Sequence, residues 1–179
     1  RSAESFIEAA GTATLTVMLS NTSVDPVTVD LVFAGTAGDE DYNASAQSVL
    51  IPAGNSSAQV VLTGNADTVF EQDETVEVAI GTISGGVSGE SNLVTLTIVD
   101  GQSEPLASIV IEGSPLAENG STAAITVSLS HTSTATVDLE LEISGTAERG
   151  KDYLIEATQL SIPPGSTSAS INLSTLEDQ

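Results

Sequence analysis

Asn65-Ala-Asp-Thr-Val-Phe-Glu-Gln-Asp-Glu74 runs directly into Thr75-Val-Glu-Val-Ala-Ile80. The second half of this stretch decides the fold. Val76, Val78 and Ile80 alternate with Thr75 and Glu77, the two-residue period of a strand with one face buried. The first half points to chemistry. Asp67, Glu71, Asp73 and Glu74 place four carboxylates in eight positions with no Lys or Arg among them. Glu74 falls in phase with the inward valines, at the leading end of the strand. A carboxylate on that phase, crowded by three others, needs a counter-charge, because unpaired buried charge is costly and clustered like charges repel. The chain has almost no basic side chains to supply one. A hard divalent cation held by loop oxygens is the expected alternative, and flexible oxygen ligands suit calcium best.

Composition narrows the class. The 179 residues carry 25 Asp and Glu against three basic residues, a net charge of -22. That balance argues against nucleic acid and anionic membrane surfaces as partners. At 40% hydrophobic the chain is no disordered acidic tail. Cysteine is absent, so stability outside the cell would come from packing or metal instead of disulfides. No apolar run approaches the roughly 18 residues of a membrane span, and no signal peptide is visible. From Arg1 to Gln179 the sequence reads as a piece of something longer.

Working outward, alternation recurs along the chain. Ala13, Leu15, Val17 and Leu19 form one set; Val27, Val29, Leu31 and Phe33 form another after the turn at Asn21–Pro26. Gly35-Thr-Ala-Gly-Asp-Glu-Asp-Tyr42 is an acidic loop. Val49–Ile51 and Ala58–Leu62 are expected to form a hairpin-like pair about Pro52-Ala-Gly-Asn55, and Leu93–Val99 closes the series. Short strands with turn signals roughly every 8–12 residues indicate an all-β antiparallel sandwich. No helix is expected anywhere.

The chain also repeats itself. Glu8 and the alternating run after it match Glu118 and its run. Gly35-Thr-Ala matches Gly145-Thr-Ala, Asp41-Tyr42 matches Asp152-Tyr153, Ile51-Pro-Ala-Gly matches Ile162-Pro-Pro-Gly, and Asp67 matches Asp178. Two domains are expected, 1–101 and 106–179. The first lacks a counterpart to the strand at Ala107–Ile111, and the second stops before its acidic strand and its last strand. Missing strands leave open sheet edges, so the piece is either marginal there or completed by another chain.

These shared pieces carry a family resemblance. Each copy resembles a Calx-beta repeat in its early Glu, its Gly-Thr-Ala loop ending in Asp-Tyr, its Ile-Pro-x-Gly turn and, in the first copy, the acidic signature Asp67–Thr75. The resemblance implies tandem immunoglobulin-like β-sandwiches, each able to hold calcium at one end. Such repeats occur in sodium–calcium exchanger regulatory regions, in an integrin cytoplasmic tail and in very long bacterial surface proteins. The ligands it implies are Glu8, Asp41, Asp67, Glu71, Glu74 and Asp100 in the first copy, for one or two ions. In the second they are Glu118, Asp152, Glu177 and Asp178, an incomplete set.

Blander roles stand beside these. Glu77, Asp138, Glu140 and Glu142 fit a solvated strand face. Asp41 and Asp152 also fit as loop caps that accept backbone N–H groups, and Tyr42 and Tyr153 as covers for a sandwich end. An enzyme is not expected, since one His, no Cys, no Trp and no phosphate-cradling Gly loop leave no nucleophilic, zinc or sugar-cleaving arrangement. The function expected is a calcium-binding extender of a large extracellular or cell-surface protein. Its partners would be calcium ions and neighbouring repeats of the same chain, and calcium would stiffen the loop pole and the junction near Asp100–Ala107. The alternatives are a regulatory calcium sensor of a membrane transporter and a ligand-binding adhesin module.

Overall fold

The computed structural model describes residues 4–89, 92–118 and 120–177. The described residues hold fourteen strands and no helix: β1 (Glu4–Ile7), β2 (Thr12–Met18), β3 (Val27–Gly35), β4 (Tyr42–Ala44), β5 (Ser48–Ile51), β6 (Ser57–Gly64), β7 (Glu74–Ser84), β8 (Leu93–Val99), β9 (Ala107–Glu112), β10 (Thr122–Leu129), β11 (Val137–Glu140), β12 (Tyr153–Ile155), β13 (Gln159–Ile162) and β14 (Ser168–Thr175). They fall into two compact units: Arg1–Asp67 with Gln72–Gly101, and Gln102–Gln179 with Thr68–Glu71.

The first unit is a sandwich of a five-stranded sheet, ordered β1-β8-β7-β3-β5, and a three-stranded sheet, ordered β2-β6-β4. Alternation explains its core. Val27, Val29 and Leu31 of β3, Val76 and Val78 of β7, and Leu96 and Ile98 of β8 point inward from one sheet. Ala13 and Leu15 of β2 and Val60 and Leu62 of β6 meet them from the other. On β7 the pattern is clean: Val76 and Val78 are buried and Glu77 between them is exposed. Burying several such side chains completely, each worth about 1.5–3 kcal/mol, is what joins the two sheets.

Two details differ from the strand pattern read in the sequence. Val49–Ile51 and Ala58–Leu62 are not hairpin partners: β5 pairs with β3, whereas β6 pairs with β2 and β4. The turn after Ile51, with Gly54 at a φ of 81°, carries the chain from one sheet to the other. Strands in facing sheets and strands in one hairpin present the same apolar alternation to one core, so alternation alone does not separate them. The sheet is also not wholly antiparallel. Short β1 runs parallel to β8, with Phe6 opposite Ile98 and Ile7 opposite Val99.

The second unit repeats the plan with fewer strands. Its sheets are β12-β14-β10-β9 and the two-stranded β11-β13. Ile125, Val127, Leu129, Ile155, Leu160, Ile162 and Ile171 form its core. Register equates the copies: Val137 lies opposite Ile162 as Val27 lies opposite Ile51.

Candidate metal centre

Glu8 follows β1 directly, and its backbone N–H donates to the Val99 carbonyl at 2.9 Å. The chain then turns within three residues. The Ala10 N–H donates to the Glu8 carbonyl, the Gly11 N–H to that of Ile7, and Ala10 takes a φ of 61°. Gly64 ends β6 against this turn. A Cβ there would lie 2.5 Å from the Glu8 carbonyl oxygen and 2.7 Å from its Cα, so only glycine lets the two backbones meet. The Glu8 side chain is buried as a result.

Asp41 precedes β4 in the Gly-Thr-Ala loop. Its Oδ2 accepts the Gly38 N–H at 2.5 Å, and its carbonyl accepts the Asn65 N–H at 2.9 Å. The Asn65 side-chain Nδ2 donates to the carbonyls of Glu40 at 3.0 Å and Asp39 at 3.4 Å. Asn65 therefore fixes the loop that presents Asp41, a role the sequence reading did not give it. Its place directly after β6, at the pole where the acidic loop arrives, was the available signal. The start of the loop is tied as well. The Thr36 and Ala37 N–H groups both donate to the Thr75 carbonyl, and the Thr75 N–H donates to Thr36 Oγ1 at 2.9 Å. Gly35, at a φ of 124°, would bring a Cβ within 2.1 Å of that same carbonyl.

These constraints fix Glu8 and Asp41. Glu8, Asp41 and Glu71 each offer a carboxylate oxygen, and the three oxygens lie within 4.8 Å of one another. Glu8 and Asp41 are buried and Glu71 is half-buried. Among the described residues this is the one group of three His, Cys, Asp or Glu side chains gathered so closely. Asp67 is exposed, Glu74 and Asp100 are half-buried, and all three remain outside the group. Of the acids expected in the second repeat, Glu118 and Glu177 are exposed, Asp152 is half-buried, and none of the three joins the group; Asp178 lies outside the described residues. Asp152 accepts the Glu148 N–H at 2.6 Å, as Asp41 accepts that of Gly38. Loop capping is thus common to both copies.

The surroundings register the negative charge. Tyr42 stacks obliquely against Phe33, with ring centroids 6.4 Å apart. Burial pushes its phenol above the ordinary value, and the neighbouring Asp39 and Asp41 carboxylates add to the rise. Three carboxylates and no nitrogen or sulfur donor make a hard donor set, suited to a hard cation and ill-suited to a soft one.

The sequence matches the Calx-beta domain family over residues 2–102 and again over residues 107–179. The chain belongs to the Calx-beta family. Glu8, Asp41 and Glu71 all lie within its first Calx-beta match. No curated protein sequence matches the chain. Two solved structures share the fold across 97% of it. One is a crystal structure of the calcium binding domain CBD12 of CALX1.1, 20% identical with a TM-score of 0.50 and 73% of its own length covered. The other is CBD12 from CALX1.2, also 20% identical with a TM-score of 0.50, and 72% covered. At this identity the likeness concerns the fold of the Calx-beta pair.

Proposed function

We propose that the first Calx-beta domain binds calcium through Glu8, Asp41 and Glu71, and that the chain serves as an extender segment of a large extracellular or cell-surface protein. The carrying observation is the gathering of three carboxylates from three separate loops. That donor chemistry is what calcium takes, and the calcium-binding domains that share the fold support the reading. The ion supplies the positive charge that the chain's own side chains lack. Glu8 would hold it from the end of β1, Asp41 from the Gly-Thr-Ala loop and Glu71 from the acidic stretch, so one ion would join three loops that separate on unfolding. Asp67, Glu74 and Asp100 complete the proposed set as outer ligands. The role is binding and not catalysis.

A second reading, a regulatory calcium sensor of a membrane transporter, draws support from the same fold likeness to calcium-binding domains. Extreme acidity favours the extender, since surface carboxylates keep a protein soluble in a salty exterior. Isothermal titration calorimetry of the full chain with calcium, with magnesium as control, tests the site. Saturable, calcium-selective heat that Glu8→Gln with Glu71→Gln removes is the expected result, and no heat with wild type refutes it. Protease shaving of intact cells that make the full-length protein tests its placement. Release of these repeats into the medium is expected, and full protection refutes an outward location.

A further inference from the structure

The two copies hold the same aspartate in different ways, and the difference isolates one side chain. After β6, the Asn65 N–H donates to the Asp41 carbonyl at 2.9 Å; after β14, the Leu176 N–H donates to the Asp152 carbonyl at 2.8 Å. The preceding bonds agree, from the Gly64 N–H to the Gly11 carbonyl and from the Thr175 N–H to that of Ser121, both 2.9 Å. Asn65 and Leu176 therefore occupy the same place on one backbone path. Their side chains act differently. The Asn65 amide has two N–H donors and reaches two carbonyls, Glu40 at 3.0 Å and Asp39 at 3.4 Å, whereas a leucine side chain has no donor. The second loop, one residue longer, is held by its own backbone instead. The Lys151 and Asp152 N–H groups donate to the Glu148 carbonyl at 3.1 and 2.9 Å, and the Gly150 N–H to that of Tyr153 at 2.8 Å. Arg149 adds a bond from Nη2 to the Ile155 carbonyl at 3.4 Å. In the first loop the turn bond from the Asp41 N–H to the Gly38 carbonyl is long, 3.4 Å. Capping by the aspartate is shared, so it does not make the difference.

We propose that Asn65 is a positioning residue for calcium. Its amide holds the Asp39 and Glu40 carbonyls, and through them keeps the buried Asp41 carboxylate in place before an ion arrives. The inference rests on the calcium reading of Glu8, Asp41 and Glu71. Without the two amide bonds, residues 39 and 40 lose their tie to the end of β6, and ordering them falls to the ion. That entropy is subtracted from binding, and loss of a group that orients a metal ligand lowers affinity by about 10–100-fold. An acid at position 65 would serve worse than asparagine, although it would add charge beside a cation. A carboxylate offers only acceptors to two carbonyl oxygens, and so repels what the amide holds. Charge and position therefore make opposite predictions for Asn65→Asp.

The test compares the full chain as wild type, N65L and N65D. The first variant installs the side chain that the second copy carries on the same backbone path; the second keeps the shape of asparagine and removes the donors. Calcium affinity is read by titration calorimetry, and the fold and the loop in chelator by circular dichroism and amide hydrogen exchange. Expected are calcium binding about 10–100-fold weaker in both variants, unchanged circular dichroism, and faster exchange confined to residues 38–42. Saturating calcium should restore protection there. A general loss of stability would instead speed exchange in β2 and β6 as well. Wild-type affinity in either variant would overturn the proposal, and tighter binding by N65D would make residue 65 a ligand instead. Altered circular dichroism or faster exchange throughout the unit in N65L would also overturn it, because Asn65 would then hold the fold. No heat with wild type would overturn the calcium reading and this inference with it.

Discussion

Replacing Glu71 by glutamine should change the sign of its effect on stability with the calcium concentration. In chelator, the substitution removes two like-charge pairs, Glu71 with Glu8 and with Asp41, whose ligand oxygens lie within 4.8 Å. At an effective dielectric constant of about 20, a pair at the 4.8 Å limit costs about 3.5 kcal/mol before solvent screening. Glu71 is half-buried, so solvent screening brings each nearer to about 0.5 kcal/mol. The variant should then lead wild type by about 1 kcal/mol, a rise in Tm of roughly 4–8 °C for a unit of this size. Calcium reverses the account. At about a hundred times Kd wild type gains about 2.7 kcal/mol, whereas a site weakened about tenfold gains only about 1.4 kcal/mol. The variant's lead should vanish. The assay is a thermal melt by circular dichroism in chelator, in calcium and in magnesium. A variant that melts below wild type in chelator would refute the repulsion argument. Equal calcium shifts for the two proteins would remove Glu71 from the site.

Four further outcomes follow from packing and charge. Gly64→Ala drives a Cβ into the Glu8 backbone and should cost about 1–3 kcal/mol in urea melts while weakening calcium binding; Gly89→Ala, with nothing within 4 Å, should stay within about 0.5 kcal/mol. Because the folded Tyr42 phenol holds its proton to higher pH than an unfolded one, stability should fall as pH rises above about 10, and Tyr42→Phe should remove that part of the slope. Calcium should also lower the Tyr42 midpoint in a phenolate absorbance titration by offsetting the Asp39 and Asp41 contribution, leaving the part due to burial; an unchanged midpoint would place the ion elsewhere. Leu62→Ala, at a position with no exposure, should cost about 2–5 kcal/mol in chemical denaturation, against under about 1 kcal/mol for Leu154→Ala, where the side chain is half exposed.

The strands were legible wherever a buried face imposed a period of two. The runs from Thr12, Val27, Thr75 and Leu93 all lie in strands, and Val76 and Val78 point inward as their phase requires. Sheet membership was less legible. The segment Ser57–Gly64 looks the same in sequence whether it pairs with β5 or faces it, because both arrangements feed one core. Strand β1 escaped notice because four residues, Glu-Ser-Phe-Ile, are too few to establish a period. The acidic stretch drew attention to four carboxylates, and only Glu71 among them joins the cluster. Acids adjacent in a non-helical segment point in different directions, so density along the chain does not translate into density in space. Glu8 and Asp41 came from the family resemblance; each is a single acid in its own stretch, and only the turn beside Gly64 and the loop held by Asn65 bring them together.

The parallel pairing of β1 with β8 also has a mechanical consequence. These are the first and last strands of the first unit, and they lie side by side, pointing the same way. Tension entering at the start of β1 and leaving at the end of β8 pulls the two strands in opposite directions along their length. The hydrogen bonds between them are then loaded together, in shear, and cannot open one after another like a zipper. The Glu8 N–H bond to the Val99 carbonyl continues that row up to the carboxylate cluster. The part of the fold that resists stretching therefore ends at the proposed calcium ligands, and an ion bound there would tighten the clamp.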